Sequence, residues 1–224
     1  LDVGASAGAG TGIGTATLNI TGTFSRSLGA SLNFYAGTGT MGDNPSILFT
    51  TTPTLTNGII GGWATVIGLD STVASTTANA EFATYDPVAG VRGLTAAMQT
   101  TSFATSTSTS NLRFGDTAIT VPLGGAIVNT LTWNGISAAR ALFFSAGTDT
   151  LTLTSGGLLV GTNNAATSIG STAVRGQLTA GSDQSELFLH VGANVLTVNS
   201  AIIDNGVSGG LNLVMDGMSQ STST

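Results

Sequence analysis

The sequence contains no cysteine and no lysine, and only 7% of its 224 residues carry a charge. Without cysteine the chain can form no disulfide framework, no thiolate metal site and no cysteine nucleophile. The five basic residues are all arginine and the net charge is −6, which argues against nucleic acid and against an anionic membrane surface as partners. The polar surface must therefore consist of hydroxyl and amide groups, chiefly from Thr, Ser and Asn.

Long hydrophobic runs are also missing. No window approaches a run of about 18 apolar residues, so the sequence predicts no membrane-spanning segment. The first residues, LDVGASAGAGTGIG, lack the basic region and apolar core of a secretory signal. We interpret residues 1–14 as an entry segment or the end of a preceding coil, and residues 217–224 as a polar tail. Because 41% of the residues are apolar, the rest of the chain must pack a core.

Short apolar bursts fill residues 142–214, separated by Gly, Asn, Asp, Ser and Thr. Each burst is too short for an ordinary helix and has turn residues on both sides, as β-strands do. Equivalent bursts recur about every 27 residues, which is typical of a solenoid whose coils stack on one another. The bursts are LFF (142–144), LTL (151–153), LLV (158–160), SIG (168–170), QLT (177–179), LFLHV (187–191), VLTV (195–198), AII (201–203) and LNLV (211–214).

These patterns predict an all-β chain that folds as one right-handed parallel β-helix over residues 15–216, with about eight or nine coils. The right hand follows from the general handedness of parallel crossovers. On the first strand, alternation places Leu18 and Ile20 on one face and Thr and Asn on the other. We expect a β excursion near residues 63–86, and a linker or exposed loop in the Ser/Thr-rich run 100–111.

Several short segments of the sequence resemble the module of autotransporter-associated β-strand repeat proteins. These are large secreted proteins of bacteria such as planctomycetes and verrucomicrobia. The likeness covers roughly residues 46–214 and is most distinctive where WATV (63–66) precedes FATYD (82–86). It implies a secreted or cell-surface β-helix. The chain departs from that module in two places: it inserts a loop at 67–81, and after LNLVMDG (211–217) it lacks the module's glycine-rich repeat. The other phrases are ILFTT, PTLTNGIIGG, AGVRGL, NTLTW, DTLTLTSGGLLV, GQLTAG, ELFLHV and VLTVNSAIIDNG.

The acidic residues form no recognisable catalytic or metal-binding cluster. Nearly all are single residues beside Gly, Asn, Ser or Thr, where Asp commonly bonds its own backbone two residues on. At a coil spacing of about 27 residues no pair among Asp149, Asp183 and Asp204 lines up. We therefore predict no catalytic residue, no cofactor and no metal ligand. The acidic residues are Asp2, Asp43, Asp70, Glu81, Asp86, Asp116, Asp149, Asp183, Glu186, Asp204 and Asp216.

Three other features could carry chemistry. His190 alternates out of phase with its apolar neighbours, and we expect it at a surface or corner because no catalytic partner is visible in the sequence. The glycine phrases at 8–14 and 37–42 are interpreted as turns, because no helix follows either of them. Trp63, Phe82 and Tyr85 could pack locally or form a sugar-stacking platform, and local packing is the favoured interpretation.

The composition and the absence of a catalytic cluster favour a non-catalytic structural or adhesive segment of an extracellular or cell-surface bacterial filament. Its partner would be itself, through head-to-tail stacking or a longer solenoid, because no cap is evident at either end of the coil stack. Surface polysaccharide is a further possible partner. The alternative is a carbohydrate-binding or polysaccharide-cleaving β-helix, which would need Asp, Arg and aromatic side chains clustered in one groove.

Overall fold

The computed structural model of the chain describes residues 16–36, 39–68, 79–115, 117–134, 139–161, 165–192, 195–206 and 208–217. Its parallel sheets stack into a β-solenoid of about 7 turns, which confirms the all-β parallel β-helix predicted from the sequence. The entry segment 1–14, residues 218–224 of the tail and the centre of the 67–81 loop lie outside the described residues. Within the described part of the chain, no helix is long and apolar enough to span a membrane.

The strands are short because turn residues interrupt every apolar burst. Those of the first part of the chain are β1 (Thr17–Ile20), β2 (Leu32–Tyr35), β3 (Ser46–Phe49), β4 (Ala64–Gly68), β5 (Asn79–Asp86) and β6 (Gly90–Gly93). Those of the second part are β7 (Asn111–Phe114), β8 (Ile119–Val121), β9 (Ala126–Trp133), β10 (Arg140–Phe144), β11 (Thr150–Val160), β12 (Thr167–Ile169), β13 (Gln177–Ala180), β14 (Glu186–Val191), β15 (Leu196–Val198), β16 (Ala201–Ile202) and β17 (Asn212–Gly217). Two short 3-10 turns, Ala96–Met98 and Phe103–Thr105, lie between the two sets.

Strands β7 to β17 form a stack with three faces, here called the C-terminal stack. Face A consists of β8, β10, β12 and β15. Face B consists of the first halves of β9 and β11 with β13 and β16, and face C of β7, the second halves of β9 and β11, β14 and β17. All of these pairings are parallel.

The spacing of successive turns agrees with the repeat predicted from the sequence. Thr150 of β11 pairs with Gln177 of β13, and the two positions are 27 apart along the chain. Arg140 of β10 pairs with Thr167 of β12 at the same interval. The apolar bursts at 151–153 and 158–160 belong to one long strand, β11, whose register shifts between them as it turns from face B to face C.

The core of the C-terminal stack is built from ladders of inward-facing side chains. Leu112, Leu131, Leu158 and Leu189 occupy equivalent positions on successive strands of face C, and all four are buried. Fully burying a leucine side chain stabilises the fold by roughly 1.5–3 kcal/mol. Since each rung is covered by the rungs above and below, the ladder depends on the next turn for its burial.

Strands β1 to β6, residues 16–94, form a second and smaller stack, here called the N-terminal stack. β1 pairs with β3 and β2 with β4 in parallel, whereas β5 pairs with both β4 and β6 in antiparallel fashion. The antiparallel strands are the excursion predicted near residues 63–86. This excursion and the segment before β7 use residues that we had assigned to coils, so the turns are fewer than the eight or nine expected.

The two stacks lie side by side. Among the described residues no strand of the N-terminal stack pairs with a strand of the C-terminal stack, and β5 packs on the outer surface of face C instead. Phe82 and Leu159 belong to one buried apolar cluster between them. The backbones of Gly62 and Gly157 come so close that a Cβ built on Gly62 would lie 2.7 Å from the nitrogen of Gly157. Only glycine can occupy position 62 without displacing the facing strand.

Residues 99–110, here called the cap segment, cover one end of the C-terminal stack. Phe103 packs against the core of that stack, with its ring centroid 5.5 Å from that of Phe114. Thr100 forms a parallel bridge to Leu112 of the first strand, β7. Residues 101, 104–105 and 107–109 are exposed, in agreement with the exposed loop expected at 100–111. The contact of Phe103 with the core fixes this loop to the end of the stack.

Candidate functional site

The aspartates at turns bond to nearby backbone, as their sequence context predicted. Asp86 accepts hydrogen bonds from the backbone N–H groups of Val88 and Ala89, at 2.8 and 2.9 Å. The bond from Ala89, followed by that from Val88, holds the pKa of the Asp86 carboxyl below its usual value. Asp149 accepts from the nearby Ala146 N–H and also, at 2.9 Å, from the N–H of Gly124, which is 25 positions away. In the described residues no group of three or more His, Asp or Glu side chains is placed to hold a metal ion.

His190 is buried, so its predicted place at a surface or corner is wrong. Its side chain points outward from face C, as the alternation indicated, but the N-terminal stack covers that face and leaves the residue 1% exposed. Its ring stacks on Phe188, at 6.0 Å between centroids, and meets Phe82 edge-on at 5.9 Å. The histidine is therefore part of the contact between the two stacks.

Both ring nitrogens of His190 face hydrogen-bond acceptors. Nδ1 lies 3.0 and 2.9 Å from the two carboxylate oxygens of Asp216, and Nε2 lies 2.7 Å from the backbone carbonyl oxygen of Gly62. The two contacts hold the ring between the carboxylate of Asp216 and the backbone of Gly62.

Asp216, the partner of His190, is a partly buried carboxylate. Burial by itself raises the pKa of this carboxyl, but the hydrogen bond and charge of His190, together with a hydrogen bond from the Ser31 side chain, outweigh burial and leave the pKa below its ordinary value. Ser31 precedes β2, whereas Asp216 is in β17. Through His190, the backbone of Gly62 in the N-terminal stack is thus joined to the last two turns of the C-terminal stack.

A second ion pair lies beside the first. Arg26 makes a two-pronged contact with Glu186 of β14, and the backbone N–H of Gly29 donates to the same carboxylate. The guanidinium also sits 5.4 Å from the ring of Trp63 and 5.2 Å from that of Phe188, a cation–π arrangement. Burial raises the pKa of Glu186, but the bonds from Arg26 and Gly29 outweigh it and hold the pKa below its usual value.

A third carboxylate, Glu81 of β5, is only 6% exposed and joins three parts of the fold. It accepts from the Arg113 side chain of β7 at 3.1 Å, from the Asn134 amide at 2.8 Å and from the Gln99 amide of the cap segment at 2.7 Å. A buried charge is tolerated only when it is paired and hydrogen-bonded. Glu81 therefore ties the N-terminal stack and the cap segment to the first turns of the C-terminal stack.

Acid should weaken the contact between the stacks. Because the pKa values of Asp216 and Glu186 are lowered in the folded chain, the stability that these groups contribute is complete above their unfolded pKa values of about 4. It is lost as the pH falls through their folded values. We expect the free energy of unfolding in urea to fall steadily between about pH 5 and pH 2. In the Glu186→Gln variant this fall should be smaller, and an equal fall would contradict the assignment.

The aromatic residues that could have formed a sugar platform are packed instead. Phe82 is 0% and Tyr85 8% exposed, and the Tyr85 hydroxyl accepts from the backbone N–H of Phe49 at 3.0 Å. Trp63 is half-buried and covered by Arg26. The favoured interpretation, local packing, is confirmed for these three residues.

Face A carries an open depression of about 630 Å³. Its lining includes one arginine, Arg140, and one aromatic side chain, Phe143, which is 41% exposed. Among the described lining residues there is no carboxylate. The arrangement offers an apolar ring and hydroxyl groups to a ligand. The remaining lining residues are Thr117, Ala118, Ala139, Ala141 and Ser168.

The last turn of the C-terminal stack has no strand on its outer side in the described part of the chain. β15, β16 and β17 each pair with one strand only, and together they are called the C-terminal edge. Met215 continues the leucine ladder of face C beyond Leu189, yet it is 60% exposed. Leu213 beside it is 45% exposed and Ile202 on face B is 38% exposed. Core positions and backbone hydrogen-bonding groups are thus open together at this edge.

The open edge was foreseen as a consequence of stacking, but the residues that cover face C were not. The sequence offered one signal that face C is covered, the Gly-Gly pairs at 61–62 and 156–157, which meet in the structure.

Comparisons with known proteins found no match: no family model, no curated protein and no solved structure is similar to this chain. The geometry of the chain itself therefore carries the functional conclusion.

Proposed function

We propose that this chain is a non-catalytic structural or adhesive segment of an extracellular or cell-surface bacterial protein, and that it associates with itself through the open end of its solenoid. The observation that carries the proposal is the C-terminal edge, where Leu213 and Met215 occupy core positions but remain exposed. An unpaired strand edge with apolar side chains is a template for another strand.

The use of the ionisable groups supports a structural role. Glu81 and Glu186 bond to residues of the opposite stack, and His190 bonds to Gly62 of that stack and to Asp216. The polar atoms of these side chains are thus engaged in contacts within the fold. The small number of charged residues leaves little electrostatic repulsion between molecules, which favours association with other surfaces. The resemblance to autotransporter-associated repeat proteins is consistent with a place on a bacterial cell surface, and we include that family in the proposal.

The proposal is tested by incubating the purified chain with a panel of acidic and neutral polysaccharides, with and without calcium. We expect no new reducing ends and no unsaturated products. A parallel sample of a known polysaccharide lyase shows that the assay detects cleavage. Turnover by this chain that disappears when one aspartate, such as Asp149, is replaced by asparagine would overturn the non-catalytic role.

The depression on face A favours a second candidate, the binding of a carbohydrate without cleavage. An exposed phenyl ring beside hydroxyl groups can stack on the apolar face of a sugar. On a glycan array, binding that the Phe143→Ala variant loses would support this candidate. The matched control is Ile127→Ala, which removes another exposed apolar side chain (56% exposed) from face B.

A further inference from the structure

Asparagine is followed directly by glycine at Asn57, Asn134 and Asn205. Asparagine is a chemically labile residue. A following glycine favours its deamidation, because a residue without a Cβ leaves its backbone nitrogen open to attack the asparagine side chain. The three sites are equivalent by this local criterion, but the structure distinguishes them by what holds each side chain in place.

Two of these asparagines lie in the contact between the stacks. The Asn57 side chain donates to the Asn129 side chain at 3.0 Å, and the Asn57 carbonyl accepts from the Asn111 side chain at 2.9 Å. Asn134, which is 3% exposed, donates to the Glu81 carboxylate at 2.8 Å. Each of these bonds joins a residue of the N-terminal stack to one of the C-terminal stack. Freeing either asparagine side chain therefore requires the two stacks to move apart.

Asn205 instead lies at the corner between β16 and β17, in the last turn of the C-terminal stack. Its Nδ2 donates to the carbonyl oxygens of Gly181 and Gln184, both at 2.6 Å, in the corresponding corner of the turn before. The flanking residues Asp204 and Gly206 are exposed. The Gly206 N–H donates to the Asp204 side chain at 3.2 Å, so the bond on this nitrogen is a local one that solvent can reach.

The strand that leads to this corner is short. β16 has two residues, and it pairs with β13 on one side while its other side belongs to the C-terminal edge. The Ala201 N–H donates to the Gly176 carbonyl at 3.1 Å, and the Ile203 N–H donates to the Leu178 carbonyl at 3.0 Å. Segments at the end of a stack open at a lower free-energy cost than segments inside it. This corner can therefore open while the two stacks stay together.

We propose that Asn205 is a deamidation site, and that it is the asparagine of the three that reacts in the folded chain. When the corner opens, the Gly206 nitrogen bonds to Cγ of Asn205, and its proton leaves with the side-chain nitrogen as ammonia. Water then opens the cyclic imide and gives aspartate or isoaspartate at this position. Water is the co-reactant, so the step balances without an oxidant or a reductant. The inference goes beyond the proposed function, because the reaction takes place with or without self-association.

The reaction removes the donor that fixes the corner. Neither product has the amide nitrogen that Asn205 uses to bond to Gly181 and Gln184. In aspartate a carboxylate takes its place and faces two carbonyl oxygens, and acceptors that meet without a donor are destabilising. In isoaspartate the main chain itself runs through the former side chain. Deamidation should therefore release the corner and loosen β16 at the C-terminal edge.

Peptide mapping of the aged 224-residue chain tests the site. The folded chain is incubated at mildly alkaline pH, and deamidated peptides are quantified over time by mass spectrometry. We expect Asn205 to react at least about 10-fold faster than Asn57 or Asn134, since an additional opening cost of about 1.4 kcal/mol already gives this ratio. In urea the unfolded chain should react at similar rates at all three sites. Folded protein in which Asn205 persists, or reacts no faster than the other two, would overturn the assignment.

The variant Gly206→Asn tests the route through the cyclic imide. A Cβ at position 206 would meet no atom within 4 Å, and the φ of +81° is one that asparagine tolerates better than other residues. Its side chain shields the backbone nitrogen, so deamidation at Asn205 should slow at least several-fold. An unchanged rate in this variant would show that the Gly206 nitrogen does not attack.

The variant Asn205→Asp carries one product of the reaction in every molecule and tests its structural effect. Hydrogen exchange of the Ile203 N–H, which is bonded to the Leu178 carbonyl, should be at least about 10-fold faster than in the wild type. Ser182→Asp is the matched control, because Ser182 is exposed in the turn that contains the partners of Asn205. It adds the same charge without removing a donor. Equal exchange rates in the two variants would overturn the release of the corner.

Discussion

Replacing Gly62 by alanine is expected to lower the free energy of unfolding by about 2–3 kcal/mol and to loosen the N-terminal stack from face C. A Cβ at this position would lie 2.2 Å from the carbonyl oxygen of Ser155 and 2.7 Å from the nitrogen of Gly157. Both are backbone atoms of a strand held on two sides, so the added methyl group cannot be accommodated by a side-chain rotation. Urea unfolding followed by tryptophan fluorescence measures the loss.

Gly147→Ala is the control for that experiment. A Cβ on Gly147 would meet no atom within 4 Å, and the residue lies in the turn before β11, away from the contact between the stacks. We expect its stability to stay within about 0.5 kcal/mol of the wild type. If Gly62→Ala is equally neutral, the two stacks are not held at the distance described.

The second large effect is expected for His190→Leu, which should cost about 3 kcal/mol. Leucine fills a similar volume, but it leaves the buried carbonyl of Gly62 and the partly buried carboxylate of Asp216 without their hydrogen-bond partner. An unpaired group of either kind is destabilising because it has lost its water without gaining a partner. Chemical denaturation at pH 7 gives the magnitude.

A double-mutant cycle with Asp216→Asn separates charge pairing from packing. If His190 and Asp216 interact as described, the loss of stability in the double variant should be smaller than the sum of the losses in the two single variants. The expected difference is about 1 kcal/mol or more. Strict additivity would show that His190 contributes through packing on Phe188 and Phe82 alone.

The sequence predicted the fold where the information was local. Alternating apolar residues define which side of a strand faces inward, and the predicted repeat appears in the ladder of the C-terminal stack as the pairing of Thr150 with Gln177. The excursion near 63–86 could be predicted because the amino-acid sequence of this segment differs from that of the repeat. Turn aspartates such as Asp86 were also predictable, because their bonds reach only two or three residues along the chain.

What covers the outer side of a strand could not be predicted in the same way. The alternation around His190 correctly places the residue outside the core, but nothing in that strand shows that a stack 128 residues away covers it. The place where Phe103 packs could not be predicted for a related reason, because a single aromatic residue in a Ser/Thr-rich run gives no periodic signal. The contact between Gly62 and Gly157 could not be predicted, because the two glycines lie far apart in the sequence.

The contact along face C also changes how this solenoid should lose its structure. In a simple solenoid each turn touches only its neighbours, so turns can peel from an end one at a time. Here the N-terminal stack is bonded to the first turns through Arg113 and Asn134, and to a later turn through Glu186 and His190 of β14. Loss of one of these turns therefore also breaks its contacts with the N-terminal stack, which bonds to several turns at once, and the two stacks should melt together in a single transition.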